Sequence, residues 1–271
     1  MQQPTPSTRG RDWFQLLTAG QPPLAQFPSS LLVADAELAG RPARYLALVA
    51  DAANPFPRAR NGEAGLLEGW ALAQAVNELV AADRTRPDKR AIVAIIDVPS
   101  QAYGRREEAY GIHQALAAAA AAYAGARLAG HPVIGLIVGK AMSGGFLAHG
   151  YQASRLLALD DAGVMVHAMS KQSAARVTQR SEQELATLAA RIPPMAYDIA
   201  SFANLGLLWR LLPVASADAP STADLGHVRA ALAAALDDIA RDPAPDLASR
   251  LGPARSASLR VRARLREQWH D

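Results

Sequence analysis

The chain lacks cysteine altogether and is poor in lysine. None of its 271 residues is a cysteine, which excludes disulfides, thiolate metal sites and cysteine nucleophiles. The absence fits a protein of the reducing cytoplasm, and we expect that location. Only Lys89, Lys140 and Lys171 are lysines, so arginine supplies nearly all of the positive charge.

The sequence also lacks the features of membrane proteins and of nucleic-acid-binding proteins. The apolar run from Ala115 to Ala124 is too short to span a bilayer, and the N-terminus has no apolar core of signal-peptide length. The net charge is only +3, and no cluster of Lys and Arg is dense enough to indicate nucleic-acid binding. The arginine-rich segment 255–266 is interpreted as a solvated helix face or a subunit contact. We therefore expect neither a membrane nor a nucleic acid as a partner.

Short apolar runs that suit buried strands alternate with helical patterns along the chain. This alternation predicts a layered α/β fold built from βα units. The predicted strands are 31–36, 43–49, 91–98, 133–138, 155–159 and 163–167. The predicted helices are 65–83, 105–128, 144–152, 195–212, 222–241 and 256–269, with a capping box at Ser181 and Glu184 opening another.

Three regions are expected from composition and pattern. Residues 1–28 are predicted to be an N-terminal extension, mostly extended apart from a helical turn at 12–17. Residues 29–212 form the predicted main domain. Residues 213–271 are predicted to be a linker followed by C-terminal helices, which pack on the core or on a partner subunit.

The most informative segment is the turn that follows the strand predicted at 133–138. The apolar run stops at Gly139, and Ser143, Gly144 and Gly145 open the next helix. Ser143 is a good N-cap, and glycines let a ligand approach the backbone because they carry no Cβ. The first N–H groups of a helix have no partner within it and carry the positive end of its dipole. Such a turn can stabilise an enolate or a tetrahedral oxyanion, although close packing alone would also explain the glycines.

Four short segments together resemble one family of enzymes. They are FPRARNGE at 56–63, GLLEGW at 65–70, GKAMSGGFLAHG at 139–150 and HAMSK at 167–171. The pattern resembles the crotonase-like superfamily, within it the carboxyltransferase α subunit of acetyl-CoA carboxylase, and most narrowly the γ subunit of bacterial malonate decarboxylase. The resemblance implies an α/β, crotonase-like ββα-superhelix fold with C-terminal helices.

The resemblance also implies a reaction and its partners. A γ subunit of this family pairs with a homologous β carboxyltransferase-like subunit as a heterodimer. The substrate is a malonyl thioester on an acyl-carrier subunit, held by a CoA-derived prosthetic group, so the γ subunit alone binds no cofactor. The pair acts as a carbon–carbon lyase that releases CO2 and leaves the acetyl thioester. This chemistry needs an oxyanion hole, a proton source and exclusion of water, but no metal.

The same resemblance assigns candidate site residues around the turn. Gly144 and Gly145 are the expected backbone donors, and Ser143 is expected to cap the helix rather than to act as a nucleophile. His149 and His167 are candidate proton donors, with a hydrogen-bonded structural role as the alternative for each. The residues expected to contact substrate are Met142, Lys140, Met169 and Ser170.

Several other functions remain open from the sequence. A related carboxyltransferase would pass CO2 to biotin instead of releasing it. A hydratase or isomerase of CoA thioesters would act without a partner, but such an enzyme usually places a Glu near the oxyanion helices, and 139–150 contains none. The chain could also be a scaffold whose partner performs all the chemistry. A serine hydrolase that uses Ser143 is the least favoured alternative.

Overall fold

A seven-stranded sheet forms the centre of the protein in a computed structural model that describes residues 5–242, 246–250 and 255–269. The strands are β1 (Leu31–Leu38), β2 (Arg41–Leu48), β3 (Ala91–Val98), β4 (Val133–Met142), β5 (Arg155–Asp160), β6 (Met165–His167) and β7 (Arg210–Pro213). Their order is β1–β2–β3–β4–β5–β7, and β6 pairs with the end of β4. The β1–β2 pair is antiparallel and the other pairs are parallel.

Helices cover the sheet. Those in the described residues are α1 (Arg9–Leu17), α2 (Leu66–Ala82), α3 (Arg105–Ala109), α4 (Ile112–Leu128), α5 (Ser143–Ala148), α6 (Lys171–Thr178), α7 (Glu182–Ala189), α8 (Ile199–Asn204), α9 (Thr222–Ala240) and α10 (Ser256–Gln268). Helices α2 and α4 pack together, while α1 and α9 contact each other and the sheet. The predicted capping box is confirmed, since Ser181 Oγ accepts from the Glu184 N–H and the Glu184 carboxylate accepts from the Ser181 N–H.

The two central strands are buried along almost their whole length. Every residue of β3 is buried, and Lys140 is the one exposed residue of β4. Continuous apolar runs are typical of parallel strands that are covered on both faces. The first two strands form an antiparallel hairpin, in which Ala39 and Gly40 make the two-residue turn with φ angles of 51° and 73°. Positive φ at both turn positions matches the twist of the flanking strands.

The N-terminal segment is part of the core rather than an extended extension. Within it, α1 buries Trp13 and Phe14 among the core side chains. The indole Nε1 of Trp13 donates to the carbonyl of Ala217 at 3.0 Å, which ties α1 to the segment before α9. The sequence predicted only a helical turn here, because a nine-residue helix cannot be distinguished from a surface turn until its partners are known.

Two predicted helices differ in the structure, and glycines account for both differences. The helix predicted at 105–128 is split into α3 and α4 by Gly111, whose φ is +80°. The helix predicted at 195–212 is wrong: α8 ends before Gly206, whose φ is +76°, and the chain then enters β7. A left-handed glycine ends a helix because it breaks the repeat of backbone dihedrals. Leu212 is apolar because it lies in the sheet, so it is not available to a partner.

In two of the four segments that carry the family resemblance, 56–63 and 65–70, packing within the chain explains the residues. Glu68 is buried, and its Oε1 accepts from Ser30 Oγ at 2.5 Å and from Asn54 Nδ2 at 2.7 Å. This carboxylate therefore ties the loop that contains 56–63 to the sheet. Gly69 lies at the α2–α4 crossing, where a Cβ would come within 2.7 Å of the Ala115 backbone.

The turn between β4 and α5 is tighter than predicted. Strand β4 runs on to Met142, and α5 begins at Ser143, which has a φ of +57°. A Cβ on Gly145 would lie 2.5 Å from the carbonyl oxygen of Ser100 and 2.6 Å from a methyl group of Val98. Gly145 therefore allows α5 to lie directly against the chain that leaves β3.

His149 is a core residue. It is fully buried, with Nδ1 3.0 Å from the hydroxyl of Tyr123 and Nε2 2.9 Å from the carbonyl oxygen of Ile95. Burial lowers its pKa to about 4, so the ring is neutral near pH 7. Both ring nitrogens have partners inside the fold, which does not fit the predicted role of proton donor.

Alanine at the two helix-opening glycines is expected to affect stability very differently. Gly145→Ala should lower the free energy of unfolding by about 1–3 kcal/mol, because its Cβ meets backbone that cannot move aside easily. Gly144→Ala is the matched control, since its Cβ would meet only the Gln101 side chain, at 3.4 Å. Urea unfolding of both variants measures the difference. Equal stabilities would contradict the packing role of Gly145.

Stability is expected to fall in acid through His149. Its folded-state pKa of about 4 lies below the ordinary 6.5, so the folded protein binds this proton less readily than the unfolded chain does. The resulting stabilisation is complete above pH 6.5 and is lost as the pH falls towards 4, with a total of about 3 kcal/mol. Urea midpoints over this range should fall less steeply for His149→Phe than for the parent. Parallel curves would show that other groups govern the acid sensitivity.

Candidate functional site

A largely apolar cavity of about 390 Å³ lies at the N-terminal end of α5. Residues from the turn itself, the end of β6, the loop before α8 and the loop before β7 form its walls. These include Ser143, Gly144, Phe146, Leu147, His167, Ala168, Pro193, Pro194, Phe202 and Leu207. The cavity therefore combines an apolar lining with the positive end of a helix, which suits an acyl group that develops negative charge on oxygen.

Gly144 presents a backbone donor that binds an oxygen atom. Its N–H donates to Oε1 of Gln101 at 2.9 Å. Gln101 follows β3, and its segment is fixed because the Ala64 N–H donates to the Ser100 carbonyl and the Ala102 N–H donates to the Ala64 carbonyl. The Gly144 N–H is thus bound to a carboxamide oxygen of this chain. The sequence pattern indicated Gly144, but nothing in it indicated Gln101.

Gly145 does not line this cavity among the described residues. It is buried against Val98 and Ser100, so its lack of a side chain serves packing. The structure thus separates two glycines that the sequence treated as a pair. Gly144 faces the cavity, and Gly145 fixes the position of the helix that carries Gly144.

Ser143 is placed differently from a helix cap. Met142 occupies the N-cap position, and Ser143 is the first helical residue. Its Oγ donates to the carbonyl of Ala168 at 2.8 Å, which links the turn to the end of β6. Neither candidate histidine is hydrogen-bonded to Ser143 in the described part of the chain. A nucleophilic serine needs a base that accepts its proton, so this geometry does not favour a hydrolase.

His167 lies on the wall of the apolar cavity. Its ring stacks on Tyr197 with centroids 3.8 Å apart, and its Nδ1 lies 3.0 Å from the carbonyl oxygen of Met169. Burial lowers the pKa of His167, so the neutral ring predominates near pH 7. The structure therefore holds a neutral imidazole in a fixed orientation beside the helix N-terminus.

The four predicted substrate contacts are not on the walls of this cavity. Met142 is buried, whereas Met169, two residues after His167, is exposed. Ser170 caps α6 by accepting from the Ser173 N–H. Lys140 lines a separate polar cavity of about 310 Å³.

The polar cavity carries charges of both signs. Arg11, Glu63, Asp97 and Lys140 contribute to its lining. The Asp97 carboxylate accepts from the backbone N–H groups of Lys140 and Gly10, at 3.0 and 3.3 Å. Asp97 therefore joins β3, which contains it, to β4 and α1.

The described residues contain no group of three or more histidine, aspartate or glutamate side chains arranged to hold a metal ion. Over the same residues, no helix is both long enough and apolar enough to cross a membrane.

Comparison with solved structures gives close matches along nearly the whole chain. A hetero-tetramer of Pseudomonas malonate decarboxylase in complex with coenzyme A contains a chain that is 66% identical, with a TM-score of 0.94. The Pseudomonas malonate decarboxylase MdcD-MdcE hetero-dimer contains one that is 65% identical, with a TM-score of 0.91. Each match covers 97% of this chain and 100% of the other.

A curated relative matches over a shorter region. The malonyl-S-ACP:biotin-protein carboxyltransferase MADD of Malonomonas rubra is 36% identical over 154 residues, which are 56% of this chain and 53% of that protein. The chain thus spans about half the length of this relative.

More distant structures share the fold alone. A chain of transcarboxylase 12S is 20% identical with a TM-score of 0.65, over 88% of this chain and 41% of the other. Together with the parallel-rich sheet, this likeness confirms the predicted crotonase-like α/β fold.

The final comparison concerns families of sequences. A sequence profile described as malonate decarboxylase gamma subunit matches residues 59–269. That range includes the turn at β4 and α5, the cavity above it and both C-terminal helices. The chain belongs to the malonate decarboxylase gamma subunit family.

Proposed function

We propose that this chain works with a homologous β carboxyltransferase-like subunit to decarboxylate a malonyl thioester. The thioester is carried by an acyl-carrier subunit on a CoA-derived prosthetic group. The products are CO2 and the acetyl thioester, so the complex is a carbon–carbon lyase. The close relatives are parts of hetero-dimers and hetero-tetramers of malonate decarboxylase, and one contains coenzyme A, which supports the partner and the type of arm.

The Gly144 N–H is the observation that carries the proposal. Gly144 lies on the wall of the apolar cavity, and its N–H donates to the carboxamide oxygen of Gln101, a side chain that is not on that wall. In the reaction, the bond between the methylene carbon and the carboxylate breaks, and its electron pair moves into the thioester to form an enolate. A donor fixed before the reaction begins stabilises an anionic oxygen of the malonyl group without reorganisation. The oxygen of Gln101 must leave this donor when substrate binds.

The enolate must then receive a proton on carbon. Of the titratable side chains on the walls of the apolar cavity, His167 is the ring held beside Gly144. Its neutral imidazole can relay a proton from solvent or from the partner subunit to the substrate carbon. We propose this relay role for His167 and none for His149, whose nitrogens bind within the core.

Exposed apolar side chains are evidence that a partner subunit binds permanently to this chain. Helix α10 leaves Leu259, Val261 and Leu265 exposed, and Trp70 on α2 is also exposed. Apolar side chains gathered on an exposed helix are typical of protein interfaces.

Transfer of CO2 to biotin is the second candidate function. The Malonomonas rubra relative is named as a malonyl-S-ACP:biotin-protein carboxyltransferase, which is the observation that favours it. The two functions share the enolate and differ in the fate of CO2. Adding a biotinyl carrier to the complex distinguishes them, since only a carboxyltransferase would form carboxybiotin and depend on it for turnover.

The complex, and not this chain alone, is expected to release CO2 from a malonyl thioester. Free malonate should be inert until it is attached to a thiol carrier, because a carboxylate stabilises the carbanion less well than a thioester does. The measurement is release of labelled CO2 by the chain, by its β partner and by the reconstituted pair. Turnover of free malonate by the chain alone would contradict the proposal.

Gln101→Glu is expected to lower kcat/KM of the complex by about 10-fold or more. A carboxylate would hold the Gly144 N–H more strongly than the carboxamide does, and would repel the malonyl carboxylate. Gln15→Glu, on the exposed side of α1, is the matched control and should leave kcat/KM unchanged. Steady-state kinetics with a malonyl thioester provide the test. If both variants match the parent, the Gly144 N–H does not serve the reacting group.

A further inference from the structure

A second cavity, of about 230 Å³, adjoins the apolar one. Tyr151 and Leu207 line both cavities, so the two share a wall. Three arginines also line it: Arg250 from the segment after α9, and Arg255 and Arg262 at α10. Asp246 is the one carboxylate on its lining within the described residues. The pocket therefore carries an excess of positive charge, and we name it the arginine pocket.

Arg250 is built into the wall of the arginine pocket. It is only 8% exposed, and its guanidinium donates to the carbonyl of Tyr151 at 2.6 Å and to that of Ala153. Its Nε has no hydrogen-bond partner in the described structure. Burial, together with the nearby charges of Arg127 and Arg155, lowers the pKa of Arg250 to about 10. A bound anion would compensate for both the unmet donor and the repulsion.

Arg255 repeats this feature at the start of α10. Its Nε is also buried without a hydrogen-bond partner among the described residues. Arg262 lies about two turns further along the helix and is exposed, so it can reach the pocket without being needed for the fold. Two unmet buried donors on neighbouring arginines are unusual, because buried polar groups in native proteins normally have partners. A ligand with several acceptor oxygens would provide the hydrogen-bond partners for both donors.

The geometry points to a phosphate ester as the ligand of the arginine pocket. Guanidinium groups bind phosphate oxygens through paired hydrogen bonds. Three arginines and Asp246 give the lining a net charge of about +2, which balances that of a phosphate monoester. We infer that the phosphate belongs to the CoA-type arm whose thioester reacts beside Gly144, because the arginine pocket and the apolar cavity share Tyr151 and Leu207. This assignment of the arm rests on the proposed function. Free phosphate has the same chemistry and is the other source to be distinguished.

The test compares two malonyl thioesters in the reconstituted complex. Malonyl-phosphopantetheine carries the phosphate, and malonyl-pantetheine lacks it. The ratio of their kcat/KM values should favour the phosphorylated substrate, and Arg262→Gln should reduce that ratio by about 10-fold, mainly through KM. Arg264→Gln is the matched control on the same helix, since Arg264 is not on the lining of the pocket, and it should leave the ratio unchanged.

Direct binding provides a readout that does not depend on turnover. Isothermal titration of the complex with coenzyme A should show binding that Arg262→Gln and Arg255→Gln each weaken by about 10-fold. If both variants weaken the binding of inorganic phosphate but leave that of coenzyme A unchanged, the pocket binds free phosphate and the arm assignment is overturned. If malonyl-pantetheine turns over as well as the phosphorylated substrate, the inference fails while the proposed decarboxylase function stands. If coenzyme A binds through these arginines but no thioester is decarboxylated, the proposed function fails instead.

Discussion

Close approach between two neighbouring chain segments is the constraint on which the site depends. The end of β4 and the start of α5 lie directly against the end of β3, and two glycines make this possible. A Cβ on Gly139 would overlap the carboxylate of Asp97, and one on Gly145 would overlap the backbone of Ser100. Asp97 also accepts the Lys140 N–H and so fixes the irregular pairing of β3 and β4 beyond Ile96. Without this approach, the Gly144 N–H would not face the segment that follows β3.

The strained turn is the local consequence of that approach. Ser143 adopts a φ of +57°, which is unfavourable for a residue with a side chain. Its hydroxyl bond to the Ala168 carbonyl helps to hold this conformation, and the same bond brings the end of β6 to the mouth of the cavity. Strain of this kind persists only where the surrounding structure determines the backbone, and it is concentrated at functional sites. The turn is thus locally strained, and it places Gly144 on the wall of the cavity.

The sequence predicts the fold better than it predicts the site. Uninterrupted apolar runs identify β3 and β4 because both are buried strands in a parallel sheet. The sequence did not predict the break between α3 and α4 at Gly111 or the end of α8 before Gly206, since a left-handed glycine is recognised only by its backbone angle. Gln101 could not be found from periodicity, because its role arises from contact with Gly144, which is distant in sequence. Likewise, His149 follows the site in the chain but points into the core.

The chain supplies only part of what the decarboxylation needs. The apolar cavity offers the Gly144 N–H and the neutral ring of His167, with no cationic side chain on its described walls. A neutral, apolar surrounding suits the departure of CO2, because desolvation raises the energy of the carboxylate more than that of the products. Positive charge is instead concentrated in the adjoining arginine pocket. There, Arg250, Arg255 and Arg262 can hold the substrate arm at a distance from the reacting carbon. In the arrangement we propose, contacts with a remote part of the substrate position the reacting group.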